Sequence, residues 1–323
     1  MKKPDTVYSP ERLHWLVPLD QAGTVRTDSL IKQKFPGLSR RIREELFSRQ
    51  AVRINGRPVA KGFKPLAGDR LEIEIPGPLS PFPIPRKELN PTVVFEDQTF
   101  LIIEKPGLIP THPISPFETG TLANALVAFW PRIIGVGKKP LESGLVHRLD
   151  SGTSGLLVVA LEQEVWLQLK KDLSAKKWKK IYWALVEGII PKPIKISLPL
   201  AHDPADERKM KGIRNPSDSY RGRVYQAITQ IHPKRGFKGY TLIEIRLITG
   251  VTHQIRAHLS YYGHPVAGDT LYGSTSGKKL SLPAGRFFLH AGQLSLPHPI
   301  TREQIHCNAG LPEDLQKVLT LLE

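Results

Sequence analysis

Proline sets the first limit on what this chain can fold into. Residues 76–91 read PGPLSPFPIPRKELNP. Each proline fixes its own φ and removes a backbone donor, so such a stretch can be neither helix interior nor central strand. It reads as an extended, stiff linker. The chain therefore divides into a small module over 1–78, a linker over 79–90 and a larger unit over 91–323. A length of 323 residues with 40% hydrophobic side chains matches about two folded domains with a substantial core.

The two parts carry different patterns. In the small one, Ser39 is placed to N-cap a helix over 40–49, with Ile42 and Leu46 four apart on one face. Arg40, Arg41 and Arg43 then fall off that face, free for another partner. Val52, Arg53 and Ile54 run into Asn55-Gly56, a pair that favours a type I′ hairpin turn because both positions need positive φ. Residues 71–75, LEIEI, alternate like a half-buried strand. In the larger part, 100–103 and 156–161 read as buried strands, and 181–187 and 241–248 as further strands. Residues 121–130 predict a helix with Leu122, Ala125, Leu126 and Phe129 on one side. Val165, Leu169 and Leu173 mark another, and 252–262 a third, stopped by Gly263. Strands and helices do not alternate regularly. The expected class is α+β: a mixed or antiparallel sheet in the larger unit, and a small α/β module before it.

Charge narrows the partners. Lysine and arginine number 46 against 30 acids, a net +16. The excess is clustered, within 32–43, 170–180 and 208–223. Repeated patches of one sign favour a polyanion, and nucleic acid is favoured over an anionic membrane or an acidic protein. No apolar run approaches the roughly 20 residues needed to span a bilayer. The N-terminal lysines are followed by no apolar stretch, so no secretory leader is expected. The lone Cys307 excludes a disulfide framework and a thiolate zinc site, and the histidines show no metal-binding spacing. A metal-free protein of a reducing, cytoplasmic compartment is expected.

One stretch stands apart chemically. GLVHRLDSGTSGLLVVA, 144–160, sets Asp150 between the pair His147-Arg148 and a small-residue loop that enters a buried strand. Small residues allow close backbone approach, and the expectation is that RNA backbone comes close there. A carboxylate held this way can act as nucleophile or general base. A glycosidase would need a second carboxylate in a set place. An aspartyl-phosphate enzyme would need magnesium-binding acids nearby. Neither is evident, and Asp150 alone does not choose. Two further stretches matter: KKIYWALVEG, 179–188, with Tyr182 in a strand, and THQIR, 252–256, where Arg256 is a candidate partner for a buried carboxylate.

Taken together and in this order, these three stretches resemble the signatures of pseudouridine synthases of the RluA type. Residues 95–113 and 286–301 match in kind, so the resemblance spans roughly 90–305. SRRIREEL, VRINGRPV and GDRLEI, within 24–76, resemble the small RNA-binding module of the ribosomal-protein S-four type. The family resemblance implies an enzyme that detaches a uracil base from carbon 1′ of ribose, turns it and rejoins it through carbon 5. It implies Asp150 as the catalytic nucleophile and Arg256 as its partner. Tyr182 would stack on the base and assist the later proton removal. Arg148 would help extract the nucleotide. His147, Thr153, His253 and Gln254 would line the substrate pocket, His147 in a structural capacity. The module resemblance implies RNA contacts from Arg40, Arg41, Arg43 and Arg53. No cofactor or metal is implied. The implied partner is structured RNA, ribosomal large-subunit RNA first and transfer RNA as the alternative, acted on by a monomer. A non-catalytic RNA-binding or ribosome-assembly factor on the same fold is the competing reading. Val251 stands where that family usually carries arginine, and Ala51 where the module usually carries glycine.

Overall fold

The computed structural model describes residues 11–36, 38, 40–75, 81–115 and 118–323. The proposed cap Ser39 and the side chain of Arg41 lie outside the described residues. Toward the N-terminus, strands β1 (Glu11–Leu16), β2 (Val52–Ile54), β3 (Arg57–Pro58) and β4 (Arg70–Ile75) form an antiparallel sheet in the order β1-β4-β2-β3. Helices α1 (Thr27–Lys34) and α2 (Arg40–Ser48) pack on it. Ile31 and Leu46 meet Val52, Leu71 and Ile73 in one apolar cluster. The hairpin turn is as its residues require: Asn55 and Gly56 sit at φ 48° and 79°.

Residues 81–90 hold no helix or strand, as expected of their prolines, yet they do not run free. Pro83 and Ile84 are buried. Asn124 Nδ2 donates to Ile84 O at 2.8 Å, and Arg86 N donates to Asn124 O at 3.0 Å. The segment is tied to α3 (Leu122–Phe129).

The larger unit is built on one sheet, nine-stranded among the described residues. Its members are β5 (Thr92–Glu96), β6 (Phe100–Lys105), β7 (Ser154–Ala160), β8 (Lys179–Glu187), β9 (Ile194–Ser197), β13 (Ile228–Phe237), β14 (Tyr240–Leu247), β15 (Leu289–Pro297) and β16 (Gln304–Asn308). The order is β5-β6-β7-β15-β8-β14-β13-β9, with β16 also on β15. All pairs are antiparallel except β7–β15, so the sheet is mixed. Three short strands, β10 (Leu200–His202), β11 (Met210–Gly212) and β12 (Arg221–Tyr225), make a separate sheet.

The continuous apolar runs of β6 and β7 follow from burial on both faces. Leu101, Ile103, Leu157 and Val159 point into one core with α3 and with α5 (Gln254–Tyr261). Phe100, Ile102, Leu156 and Val158 point into another with α4 (Gln163–Ser174). The C-terminal helix α6 (Glu313–Leu322) adds Leu315 and Val318 to a smaller cluster. One expectation fails here. Phe129 is 41% exposed, because α3 ends at it and Trp130 packs on the core in its place.

Candidate active site

Asp150 lies in the turn that feeds β7, and that turn is held from every side. Thr111 Oγ1 donates to Leu149 O at 2.6 Å and accepts from Leu149 N at 3.2 Å. Thr153 N donates to Asp150 O at 3.0 Å. Two buried cations take the next carbonyls. Lys105, at the end of β6, donates to Ser151 O at 3.1 Å, Pro106 O at 2.7 Å and Ile109 O at 2.8 Å. Arg286 donates to Gly152 O at 2.5 Å and Ser154 Oγ at 3.0 Å.

The glycines here serve packing, which corrects the expectation that they admit RNA backbone. A Cβ at Gly152 would stand 2.4 Å from Gly285 O. One at Gly155, whose φ is +113°, would stand 2.3 Å from Ala291 O. The second contact is where β7 meets β15 in parallel.

The carboxylate of Asp150 faces a cavity of about 640 Å³. Arg256 Nη1 donates to Asp150 Oδ2 at 2.9 Å. The rest of the guanidinium grips Asp269, with Nε to Oδ2 at 2.6 Å and Nη2 to Oδ1 at 2.9 Å. Its Cζ also lies 4.4 Å from the ring centre of Phe287 and 5.0 Å from that of Tyr272. Burial works against the charge of Arg256, but the hydrogen bond to Asp269 and the charges of Asp150 and Asp269 outweigh it and raise its pKa. Arg256 is thus a fixed cation that presents Nη1 to Asp150.

Asp269 and Tyr272 were not singled out from the sequence. The one cue in the sequence is that GDTLYG follows THQIR closely; that Arg256 takes a second, buried carboxylate shows only in the fold.

His253 precedes α5 in the left-handed region, φ 52°. Its Nδ1 lies 3.0 Å from the Tyr272 hydroxyl, whose oxygen accepts from Met210 N at 2.8 Å. The Tyr272 proton then goes to Nδ1. That leaves Nε2–H directed to Asp150 Oδ1, 3.7 Å away. Burial lowers the pKa of His253, so it stands neutral.

Gln254 lines the cavity, but its amide belongs to the framework. Oε1 accepts from Thr249 Oγ1 and Val251 N, and Nε2 donates to Ile228 O and Thr229 Oγ1.

Strand β8 gives Lys180 and Tyr182 to the cavity wall. Tyr182 is 6% exposed, and burial followed by the charge of Asp150 pushes its phenol well up. This keeps the phenol protonated where Tyr182 lines the cavity. Lys180 lines the same wall, its amine pushed down to about 8 by burial. His147 also lines the cavity, but its Nε2 accepts from Val158 N at 3.3 Å. Burial, then Lys180 and Lys170, hold its imidazole far below the ordinary value. Arg148 is exposed and Thr153 buried, both on the cavity. Val251 lines it too and packs against the cluster of Leu200 and Tyr272.

The small sheet's candidates do not form one face. Arg40 is exposed and pairs with Glu44 at 3.1 Å. Arg43 turns back to donate to Leu38 O. Arg53 is half-buried on β2. None of these three lines the cavity.

Residues 99–261 match the model of the RNA pseudouridylate synthase family. The chain belongs to that family. An uncharacterized RNA pseudouridine synthase of Synechocystis is 35% identical over 303 residues, covering 92% of this chain and 89% of that one. Ribosomal large subunit pseudouridine synthase D of Neisseria meningitidis is 30% identical over 318 residues, covering 96% and 82%. Among solved structures, human RNA pseudouridylate synthase domain containing 1 aligns at a TM-score of 0.55 with 26% identity, over 69% of this chain and 84% of that one. The protein is an RNA pseudouridine synthase, an isomerase. Its fold class is that expected from sequence. Among the described residues no helix is long and apolar enough to cross a membrane, and no group of three or more His, Cys, Asp or Glu could hold a metal ion.

Proposed function

We propose that this pseudouridine synthase uses Asp150 as its nucleophile, on a uridine of ribosomal large-subunit RNA. The observation that carries the first half is the ion pair between Asp150 and a cation held in place by Asp269, on a cavity that Tyr182 also lines. A base stacked in a helix cannot present its glycosidic bond to a carboxylate, so the target nucleotide is flipped into the cavity. Arg148, exposed at the cavity beside Asp150, takes the place the base leaves. Tyr182 offers its face to the base, a contact worth about 1–3 kcal/mol. Arg256 holds Asp150 in line with carbon 1′, and orientation of this kind supplies much of the rate in a positioned reaction. Asp150 displaces the base from carbon 1′ and the C1′–N1 bond breaks. The base turns, and its carbon 5 displaces Asp150 from carbon 1′. The carbon 5 proton is removed with the assistance of Tyr182 while N1 gains a proton, so the product is an isomer.

The target class rests on relatives named ribosomal large subunit pseudouridine synthase D, from Neisseria, Xanthomonas and Haemophilus, at 30–34% identity. Residues 1–78 act as an S-four-type RNA-binding module followed by the linker at 79–90. The enzyme works as a cytoplasmic monomer without a cofactor.

The test is to incubate the protein with unmodified ribosomal and transfer RNA and map pseudouridine by carbodiimide adducts. A new adduct in large-subunit RNA is expected from the wild type, and Asp150→Asn is expected to lose about 10³-fold or more in rate. Adducts confined to transfer RNA would replace the target. An active Asp150→Asn would remove Asp150 from its role.

A further inference from the structure

The loop that carries Asp150 is held by a cation whose counter-ion comes from the far end of the chain. Arg286 is 1% exposed, and its guanidinium is surrounded by acceptors. Nε donates to Asp314 Oδ2 at 2.6 Å. Nη1 donates to Gly152 O at 2.5 Å and to Phe287 O at 2.8 Å. Nη2 donates to Ser154 Oγ at 3.0 Å and reaches Asp314 Oδ1 at 3.5 Å. The space it occupies is made for it: a Cβ on Gly107 would lie 2.6 Å from Arg286 Nε.

A second connection runs parallel to the first. Ser154 Oγ lies 2.9 Å from His290 Nδ1, and His290 Nε2 faces Ala309 O at 3.2 Å. The carbonyl requires a proton on Nε2, so Ser154 donates to Nδ1. Ala309 is three residues before Pro312, the cap of α6. Both routes join residues 152–154 to the root of that helix.

We propose that Asp314 and Arg286 are a positioning pair for Asp150, through which helix α6 sets the placement of the peptide units 152–154. This rests on the reading of Asp150 as nucleophile. A guanidinium is a rigid planar fork. Two edges of this one are committed to the loop and to the entry of β15, and Asp314 fixes the third. Without Asp314 the fork turns in its plane and carries Gly152 O and Ser154 Oγ with it. It also becomes a buried cation without a carboxylate partner, on the same loop as Lys105, a second buried cation. Displacements on the order of 1 Å at a reacting group can cost about 10²-fold in rate.

The experiment compares Asp314→Ala, Asp314→Asn and Asp314→Glu with wild type in the full chain. Single-turnover rate, RNA Kd and thermal midpoint are read on each. Glu313→Ala is the control. Glu313 is also a first-turn acid of α6, and it pairs with Lys317 at 2.6 Å on the surface, so it reports the loss of helix-end charge alone. The Ala and Asn variants are expected to lose about tenfold in single-turnover rate, with RNA Kd within about twofold. Asp314→Glu recovers most of the rate, and Glu313→Ala keeps all of it. Asp314→Asn keeps an acceptor for Nε and guards against a variant that does not fold. Wild-type rates in both the Ala and Asn variants, a loss matched by Glu313→Ala, or a loss confined to RNA affinity would each overturn the pair. Asp150→Asn is run alongside. If it remains active, the underlying reading fails. If it is inactive while the Asp314 variants are unimpaired, only this inference fails.

Discussion

A single guanidinium organises the Asp150 side of the cavity. Arg256 presents two donors to Asp269 and one to Asp150, while Phe287 and Tyr272 hold its plane. Lysine offers a charge but no fork. Arg256→Lys should therefore lower the single-turnover rate by about 10²-fold with RNA affinity little changed, read by separate rate and binding assays. A loss in Kd alone would mean that Arg256 binds RNA and does not position Asp150. Arg148 makes a different demand, because extraction is needed only when the target is stacked. Arg148→Ala should slow reaction on a structured stem-loop by about tenfold or more, and on an unstructured oligonucleotide far less. Equal slowing on both substrates would refute the wedge. Asp150, Tyr182 and Arg256, which line one cavity, could be named as candidates from the sequence because their three runs occur together and in order; each run alone has a plainer structural reading. Asp269 could not be named in this way. Its meaning depends on a partner 13 residues away across a helix and a turn, and only the fold shows that Arg256 has donors to spare.

The elements around the site act by what their ends present. Strand β6 delivers Lys105 under the loop, fully buried and bonded to three carbonyls, the number an ammonium can serve. Burial, then the charge of Arg286, bring its amine from the ordinary 10.5 down to about 7, against an opposing pull from Asp150. Above that pH the neutral amine has two N–H groups, and the longest contact, 3.1 Å to Ser151 O, is the one released. Activity should fall as pH rises past about 7, and Lys105→Met should lack that limb. Stability runs the other way. Between about 7 and 10.5 the unfolded chain holds a proton that the folded one does not, so this group's contribution to stability grows with pH. Rate and thermal midpoint measured against pH on both proteins check this, and an unchanged limb in Lys105→Met would refute it. The same loop shows what pattern reading missed at this scale. Gly152 and Gly155 looked open to a ligand, but they face Gly285 and Ala291. A glycine's freedom is readable from sequence, whereas what fills the space beside it is not.

Over the whole molecule, the +16 charge is distributed less simply than its runs imply. In the second cluster, Lys177 and Arg302 share the fully buried Asp172, and Lys170 donates to Val146 O. Lys180 turns into the cavity. In the third, Arg214 and Arg223 lie over the rings of Tyr261 and Tyr225, and Arg223 reaches the cavity. The small sheet leaves Arg40 out in solvent while Arg43 turns inward. If residues 1–78 hold RNA phosphates, deleting them should weaken binding and flatten the salt dependence, by roughly 0.7–0.9 in the log–log slope for each phosphate those residues neutralise. An unchanged slope, measured by titration at several salt concentrations, would place the phosphate-binding groups elsewhere.

By itself the sequence determined the periodicities, the punctuation and the chemistry. It determined the proline segment between two patterned parts, the Asn55-Gly56 hairpin, the buried runs of β6 and β7, the α+β class with a mixed or antiparallel sheet, and the family that the three ordered motifs resemble. These are local properties, set by φ preferences, side-chain alternation and ordered motifs. Tertiary structure decided which charges meet. It brought Asp269 to Arg256, Asp314 to Arg286, Lys105 to Ser151 and Ile84 to Asn124, and it used Gln254 as framework. Each of these joins groups from separate elements, and a buried polar group is satisfied by whatever the fold sets beside it.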